Sequence, residues 1–208
     1  MKKIVILISG RGSNMQAIVN ANMPHKICCV LSNNPDAEGL DFARNKGIDT
    51  YVVNHRDYPD RDSFDQALGD RMDKYQPDLI VLAGFMRVLT SNIVERFAER
   101  IINIHPSLLP AFKGLNTHVK AIESGAKLHG CTVHFVTPNL DEGPIIAQAA
   151  LRIKPDDTTQ TLADRILTLE HEILPKSIAW ILDGRCTISK NQITLDPTIV
   201  KDSFSFQG

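Results

Sequence analysis

Two apolar patterns alternate through the first half of the chain. The continuous aliphatic run at residues 3–8 has the look of a strand covered on both faces, and residues 26–31, 50–53 and 79–83 read as further strands. Between them apolar residues recur at helical spacing, as in Phe64, Leu68 and Met72, which line one side of a helix. The spacing predicts helices over residues 13–22, 36–46, 62–75 and 90–98. Ser13 or Asn14 is expected to cap the first, and Gly47 to close the second from a C-cap position. Strands and helices alternating at this interval define βαβ units and a parallel sheet. A further strand, Ile101-Ile102-Asn103-Ile104-His105, should stop where Pro106 offers no ladder donor.

Beyond His105 the rhythm changes. A short helix at Thr117–Glu123 precedes two longer strands, at residues 131–136 and 145–153, that flank a turn. Leu162, Ile166, Leu169 and Ile173 then mark one long helix, with Asp157 and Gln160 as its capping box and a kink expected at Pro175. Residues Cys186–Ser189 and Gln192–Leu195 resemble a small closing hairpin. The expected fold class is α/β: a doubly wound, mostly parallel, Rossmann-like sheet with an antiparallel extension in the C-terminal part. No repeat, low-complexity stretch or linker interrupts it, so a single domain over residues 1–208 is the simplest account.

Composition narrows the partners. With 43% hydrophobic residues the 208-residue chain can bury a full core. A net charge of −1 supplies no basic field for a nucleic-acid backbone, and 6% aromatics give little for stacking single strands. No nucleic-acid partner is expected. No apolar run approaches the roughly 18–20 residues that span a bilayer, so no membrane partner is expected either. The apolar start, Ile4-Val5-Ile6-Leu7-Ile8, runs straight into a glycine loop and reads as a first strand rather than a signal peptide. Cys28, Cys29, Cys131 and Cys186 form no Cys-x-x-Cys pair, which points to a reduced, cytoplasmic protein without structural zinc.

Five stretches carry candidate chemistry. Asn103 and His105 stand two apart, so an extended backbone aims both side chains from one face, at the strand end where open α/β sheets bind ligands. Taken alone, the pair also reads as a turn-capping Asn and a core His. The loop Ser9-Gly10-Arg11-Gly12-Ser13-Asn14 joins a strand to a helix N-terminus, a geometry that suits an anion. It lacks the Gly-Lys-Ser/Thr of a Walker loop. Met15 replaces the third glycine of a dinucleotide fingerprint, and Ser32-Asn33-Asn34 stands where a ribose-binding acid would follow the second strand. A single phosphate fits better; a plain glycine turn with a capped helix is the alternative. Gly84-Phe85-Met86-Arg87-Val88-Leu89 can form a flat apolar pocket with a cationic rim, or can be core running into the next helix. Asn139-Leu140-Asp141-Glu142-Gly143-Pro144 is an ordinary turn unless Asp141 reaches His105, where it would favour the imidazolium. His134 is a further candidate, equally a core residue. Glu170-His171 precedes Pro175 by about one helical turn; it reads as solvated helix charge, or as a carboxylate turned into a cleft to meet an amine. No metal-ligand spacing is present, and no metal is expected; Ser107 lacks the elbow of a nucleophile.

In this order, Gly12-Ser13-Asn14, Ala83-Gly84-Phe85-Met86-Arg87, Asn103-Ile104-His105-Pro106-Ser107-Leu108-Leu109-Pro110, Gly114-Leu115-Asn116-Thr117-His118, Leu140-Asp141-Glu142-Gly143-Pro144 and Glu170-His171 resemble the phosphoribosylglycinamide formyltransferase family, within the formyltetrahydrofolate-dependent transferases. The similarity spans residues 3 to about 184. It implies a one-carbon transfer in purine synthesis, with 10-formyltetrahydrofolate as co-substrate and glycinamide ribonucleotide as acceptor, in a monomer or homodimer. Asn103, His105 and Asp141 would be catalytic. Gly12, Ser13 and Asn14, with Met15 and Gln16 after them, would hold the ribonucleotide phosphate, and Glu170 the acceptor amine. Met86, Arg87, Val88 and Leu89 would line the folate pocket together with Asn103, Thr137, Leu140 and Asp141, while Arg61 would sit near the glutamate tail. Residues 1–100 would thus form the phosphate-binding part and 101–208 the catalytic and folate-binding part. Ala111 departs from the basic or hydroxyl residue frequent in relatives. Rival assignments are a formyltetrahydrofolate hydrolase, a methionyl-tRNA formyltransferase, each expected to carry an added domain, and a nucleotide-binding regulatory module.

Overall fold

The computed structural model describes residues 1–207, which fall into two compact units, one ending at Asn103 and the other beginning at Ile104. The first contains β1 (Lys3–Ile8), α1 (Ser13–Asn20), β2 (Lys26–Ser32), α2 (Gly39–Asn45), β3 (Thr50–Val52), a 3-10 turn at His55–Asp57, α3 (Arg61–Asp73), β4 (Leu79–Leu82), α4 (Ser91–Arg96) and most of β5 (Ile101–His105). These strands pair in parallel in the order β5-β4-β1-β2-β3. From Ile4 to Ile8 the central strand β1 has no exposed surface. An unbroken aliphatic strand is stable only if both faces are covered, and here helices lie on both sides of the sheet, α1 packing on α2 and α3 on α4.

In this unit the element types match the apolar pattern and the ends differ. Neither Ser13 nor Asn14 caps α1. The N-cap is Gly12, at φ 69°, with no side-chain cap. The chain must turn sharply out of β1 there, and a Cβ on residue 12 would lie 3.2 Å from the Gly39 Cα. A left-handed residue with no side chain meets both demands. Helix α2 starts three residues later than expected, because Asn34 folds residues 34–37 into a turn through Asp36 N–H to Asn34 Oδ1 (3.2 Å) and Ala37 N–H to Asn34 O (3.3 Å). Gly47 does close it, at φ 70°, with its N–H on Arg44 O. Asp60 caps α3, its carboxylate accepting from Ser63 N–H at 2.8 Å.

The second unit contains α5 (Thr117–Glu123), β6 (Leu128–Phe135), β7 (Ile145–Arg152), α6 (Thr159–Leu182), the β8 (Cys186–Ser189) and β9 (Gln192–Leu195) hairpin, a 3-10 turn at Val200–Ser203 and β10 (Phe204–Gln207). Strands β6 and β7 are antiparallel, and β10 adds to β7 in parallel. Strand β10 has no counterpart in the apolar pattern: it is four residues long, with Phe204 and Phe206 exposed, and only pairing with β7 makes it a strand. Strand β6 begins at Leu128 because His129 and Gly130 are drawn into the ladder opposite Leu151 and Ala150. The capping box of α6 is Thr158 with Thr161, not Asp157 with Gln160. Asp157 instead accepts from Lys154 N–H at 2.7 Å and pairs with Arg165 at 2.5 Å. Pro175 lies inside α6, which continues past it for seven residues to Leu182; packing of Ile173, Leu174 and Ile178 outweighs the lost backbone bond.

Gly130 has no room for a side chain, since a Cβ would stand 2.0 Å from the Ala149 carbonyl oxygen, whereas one on Gly10 would meet nothing within 4 Å. Gly130→Ala should therefore lower unfolding free energy by about 3 kcal/mol or more, and Gly10→Ala by less than about 1 kcal/mol, in urea melts of the two variants.

Candidate active site

Pro106 ends β5 at His105, leaving its imidazole at the strand's carboxyl end and only 5% exposed. Asn103 shares its face of the strand, two residues back. The ring of His105 lies between two acceptors. Its Nε2 is 3.1 Å from the Phe112 carbonyl oxygen, and its Nδ1 is 3.5 Å from Asp141 Oδ2. The second distance marks an ion-pair contact rather than a short hydrogen bond. A ring protonated on both nitrogens donates towards both acceptors, whereas a neutral ring turns a lone pair towards one of them.

The backbone around this pair is irregular, and specific bonds hold it. Phe112 (φ 55°) and Asp141 (φ 53°) are both left-handed, a conformation that costs an ordinary residue about 1 kcal/mol. Asp141 is fixed by Gly114 N–H, which donates to its Oδ2 at 2.9 Å, while Lys113 and Glu142 pair at 2.7 Å across the same two loops. Gly143 lets the loop close on β6, where a Cβ would overlap the Phe135 carbonyl oxygen. The segment after Pro106 is clamped by Thr132. Its hydroxyl donates to Ser107 O (2.7 Å) and accepts from Leu109 N–H (3.1 Å) and Gln148 Nε2 (3.0 Å), using its full hydrogen-bonding capacity. Ser107 Oγ donates to Ala111 O at 2.6 Å, a bond that makes this serine part of the loop's frame. A cavity of about 160 Å³ opens beside Asp141, lined also by Leu109, Pro110, Lys113, Glu142 and Ile145.

Two further histidine features appear. His134, on β6, is buried, donates from Nδ1 to Phe135 O at 3.0 Å, and holds Nε2 3.8 Å from Asp141 Oδ1; burial lowers its pKa. His118 Nδ1 and His129 Nε2 are 3.1 Å apart. Burial, then the neighbouring charges of His118 and His105, pushes His129 down to about 4, and burial lowers His118 as well. Neither the Thr132 clamp nor this histidine pair was singled out from the sequence. His129 sits amid apolar strand residues, and Thr132 is an unremarkable strand residue until it faces Ser107.

The remaining candidates fall as follows. In the first unit, Gly12, Ser13, Asn14 and Met15 form the amino end of α1, where backbone amides lack helical acceptors. Met15 has its side chain wholly in the core, so only its backbone is available there, and Gln16 turns its amide to Arg11 O at 3.2 Å. Residues 84–89 leave β4 through left-handed Gly84, with Met86 and Val88 exposed and Leu89 buried. Arg87 stacks 5.1 Å over the Phe64 ring, and Arg61 donates to the Val88 carbonyl, so both guanidinium groups brace this segment. In the second unit, Thr137 Oγ1 holds the turn by bonding Asn139 O at 3.2 Å, and Leu140 is half exposed. Glu170 is buried on α6, close enough to Cys131 that its charge adds to burial in raising that thiol's pKa. No group of three or more His, Cys, Asp or Glu among the described residues is arranged to hold a metal ion, and no helix among them is long and apolar enough to cross a membrane.

Strand β5 thus ends in Asn-x-His, and a loop distant in sequence brings an acid to the His. Residues 2–178 match the formyl transferase family, and the chain belongs to that family. More narrowly, it is 45% identical over 197 residues to a phosphoribosylglycinamide formyltransferase of Escherichia coli, covering 93% of each chain. It is also 41% identical to the trifunctional purine biosynthetic protein adenosine-3 of Homo sapiens, matching 91% of this chain and 19% of that one. A solved phosphoribosylglycinamide formyltransferase from Coxiella burnetii superposes with a TM-score of 0.92 at 45% identity, over 99% of both chains.

Because His129 is harder to protonate folded than unfolded, its contribution to stability is whole above about pH 6.5 and is lost as pH falls towards about 4. The loss should reach about 3 kcal/mol for this residue. Urea midpoints measured from pH 7 to pH 4 should fall steeply for the native chain and more gently for His129→Gln.

Proposed function

We propose that this chain transfers the formyl group of 10-formyltetrahydrofolate to the primary amine of N1-(5-phospho-D-ribosyl)glycinamide, as a cytoplasmic step of purine synthesis. The observation that carries this is the buried His105–Asp141 contact at the end of β5, in a chain of the formyl transferase family.

The neutral amine attacks the formyl carbon, and negative charge gathers on the formyl oxygen. Asn103 donates a hydrogen bond to that oxygen, a contribution typically worth about 10²–10³ in kcat. His105, charged and oriented by Asp141 and the Phe112 carbonyl, stabilises the same oxygen. It then helps a proton reach N10 as the carbon–N10 bond breaks, typically worth about 10²–10⁴. The attacking nitrogen loses a proton, tetrahydrofolate departs, and no covalent enzyme intermediate forms. Holding amine and formyl carbon together supplies much of the remaining acceleration.

The amides of Gly12, Ser13, Asn14 and Met15, with Gln16, bind the phosphate at the positive end of α1. Glu170 accepts from the acceptor's amine-bearing part. In the first unit, Met86, Val88 and Leu89 are assigned to the folate; in the second, so are Thr137, Leu140 and Asp141. Arg87 and Arg61 form the cationic rim, Arg61 keeping donors for the glutamate tail beyond its bond to Val88.

Incubation with 10-formyltetrahydrofolate should consume it only when the ribonucleotide is present. Consumption without it would make the protein a hydrolase, and none under either condition would make it a binding module. His105→Ala and Asp141→Asn should each lower kcat by about 10²–10⁴ with the fold retained by circular dichroism. In the same assay Glu170→Gln should raise KM for the ribonucleotide about tenfold and leave that for the donor within twofold.

A further inference from the structure

At the carboxyl ends of β1, β2 and β4, one serine joins three segments of the first unit. Ser9 donates its backbone N–H to Gly84 O at 3.2 Å, and its Oγ accepts from Met86 N–H at 2.8 Å. The same hydroxyl donates to Asn33 Oδ1 at 2.6 Å, and Ser9 O accepts from Asn34 Nδ2 at 3.3 Å. Asn33 is only 5% exposed, and its own carbonyl accepts from His55 Nδ1 at 2.8 Å. The orientation of the Ser9 hydroxyl follows from this frame. Its proton points at Asn33, so its lone pairs are left for the Met86 amide. Left-handed Gly84 (φ 79°) starts the turn, and the Ser9 bond holds it two residues later, with the Met86 and Val88 side chains outward.

We propose that Ser9, oriented by Asn33, is a positioning residue for the formyl donor. It sets the backbone of residues 84–88 without touching either substrate. The inference deepens the function given above and rests on the assignment of residues 86–89 to the donor. Ser9 also lies three residues before Gly12, so a generally disordered loop would disturb phosphate binding as well. A specific role disturbs the donor alone. Replacing the hydroxyl by hydrogen leaves the Met86 N–H and Asn33 Oδ1 without their partner, and such losses are felt where the groups are shielded from water.

The test compares the full chain with Ser9→Ala, Ser9→Thr and Asn33→Ala in steady-state kinetics with 10-formyltetrahydrofolate and glycinamide ribonucleotide. Amide hydrogen exchange at Met86 and thermal melting are read alongside. Ser9→Ala is expected to raise donor KM about tenfold, to shift ribonucleotide KM and kcat less than twofold, and to speed Met86 exchange at least tenfold. Ser9→Thr, which keeps the hydroxyl, should restore both, and Asn33→Ala should raise donor KM about threefold. Should Ser9→Ala fail to fold, the Asn33→Ala and Ser9→Thr values decide in its place. Unchanged donor KM despite faster exchange would overturn the inference, as would a parallel rise of both KM values with a lowered melting temperature. A native chain that transfers no formyl group overturns the parent function instead, a result visible before any variant is made.

Discussion

Confinement of one imidazole between a carbonyl and a carboxylate organises the second unit. His105 is almost fully buried, and both nitrogens face acceptors. A buried polar ring must be satisfied, and here each ring nitrogen has an acceptor beside it. The arrangement has Asp141 and Phe112 in left-handed backbone, which an isolated peptide disfavours, for Phe more than for Asp. The stability to hold them comes from ordinary sources nearby: the Gly114 amide, the fully satisfied Thr132 hydroxyl and the Gly143 contact with β6.

In the first unit, strain and polarity are concentrated past the strand ends, while the middles of β1 and β4 are uniformly apolar. In the first unit β1 and β4 are buried along nearly their whole length, and irregularity begins at Ser9 and Gly84, one and two residues past their ends. The division follows from hydrogen-bond accounting. Within the central strands the amides find ladder partners; past the strand ends they need side-chain acceptors, such as the Ser9 hydroxyl that takes the Met86 N–H, or a ligand. Chemistry settles where the ladder runs out.

Ala111 shows how backbone and side chain can separate at such a site. Its carbonyl accepts from Ser107 Oγ and helps frame the loop after His105. That contribution is independent of the side chain.

The sequence alone determined the alternation of strands and helices, the parallel sense of the first-half strands and, through Pro106, the end of β5 at His105, since burial of aliphatic runs and the missing proline donor are local properties. Thr117–Glu123 and the β8–β9 hairpin were likewise legible to the residue. Helix ends were less so. The α1 cap is set by the approach of Gly39, and the α6 box by Arg165 drawing Asp157 away, neither of which is a neighbour in sequence. Strand β10 exists only because β7 offers it an edge. Asn103 and His105 were visible as a pair because two-residue alternation follows from extended backbone. That Asp141, Phe112 and Thr132 converge on the His105 loop was decided only by tertiary structure, because distance along the chain carries no information about distance in space until the sheet has closed.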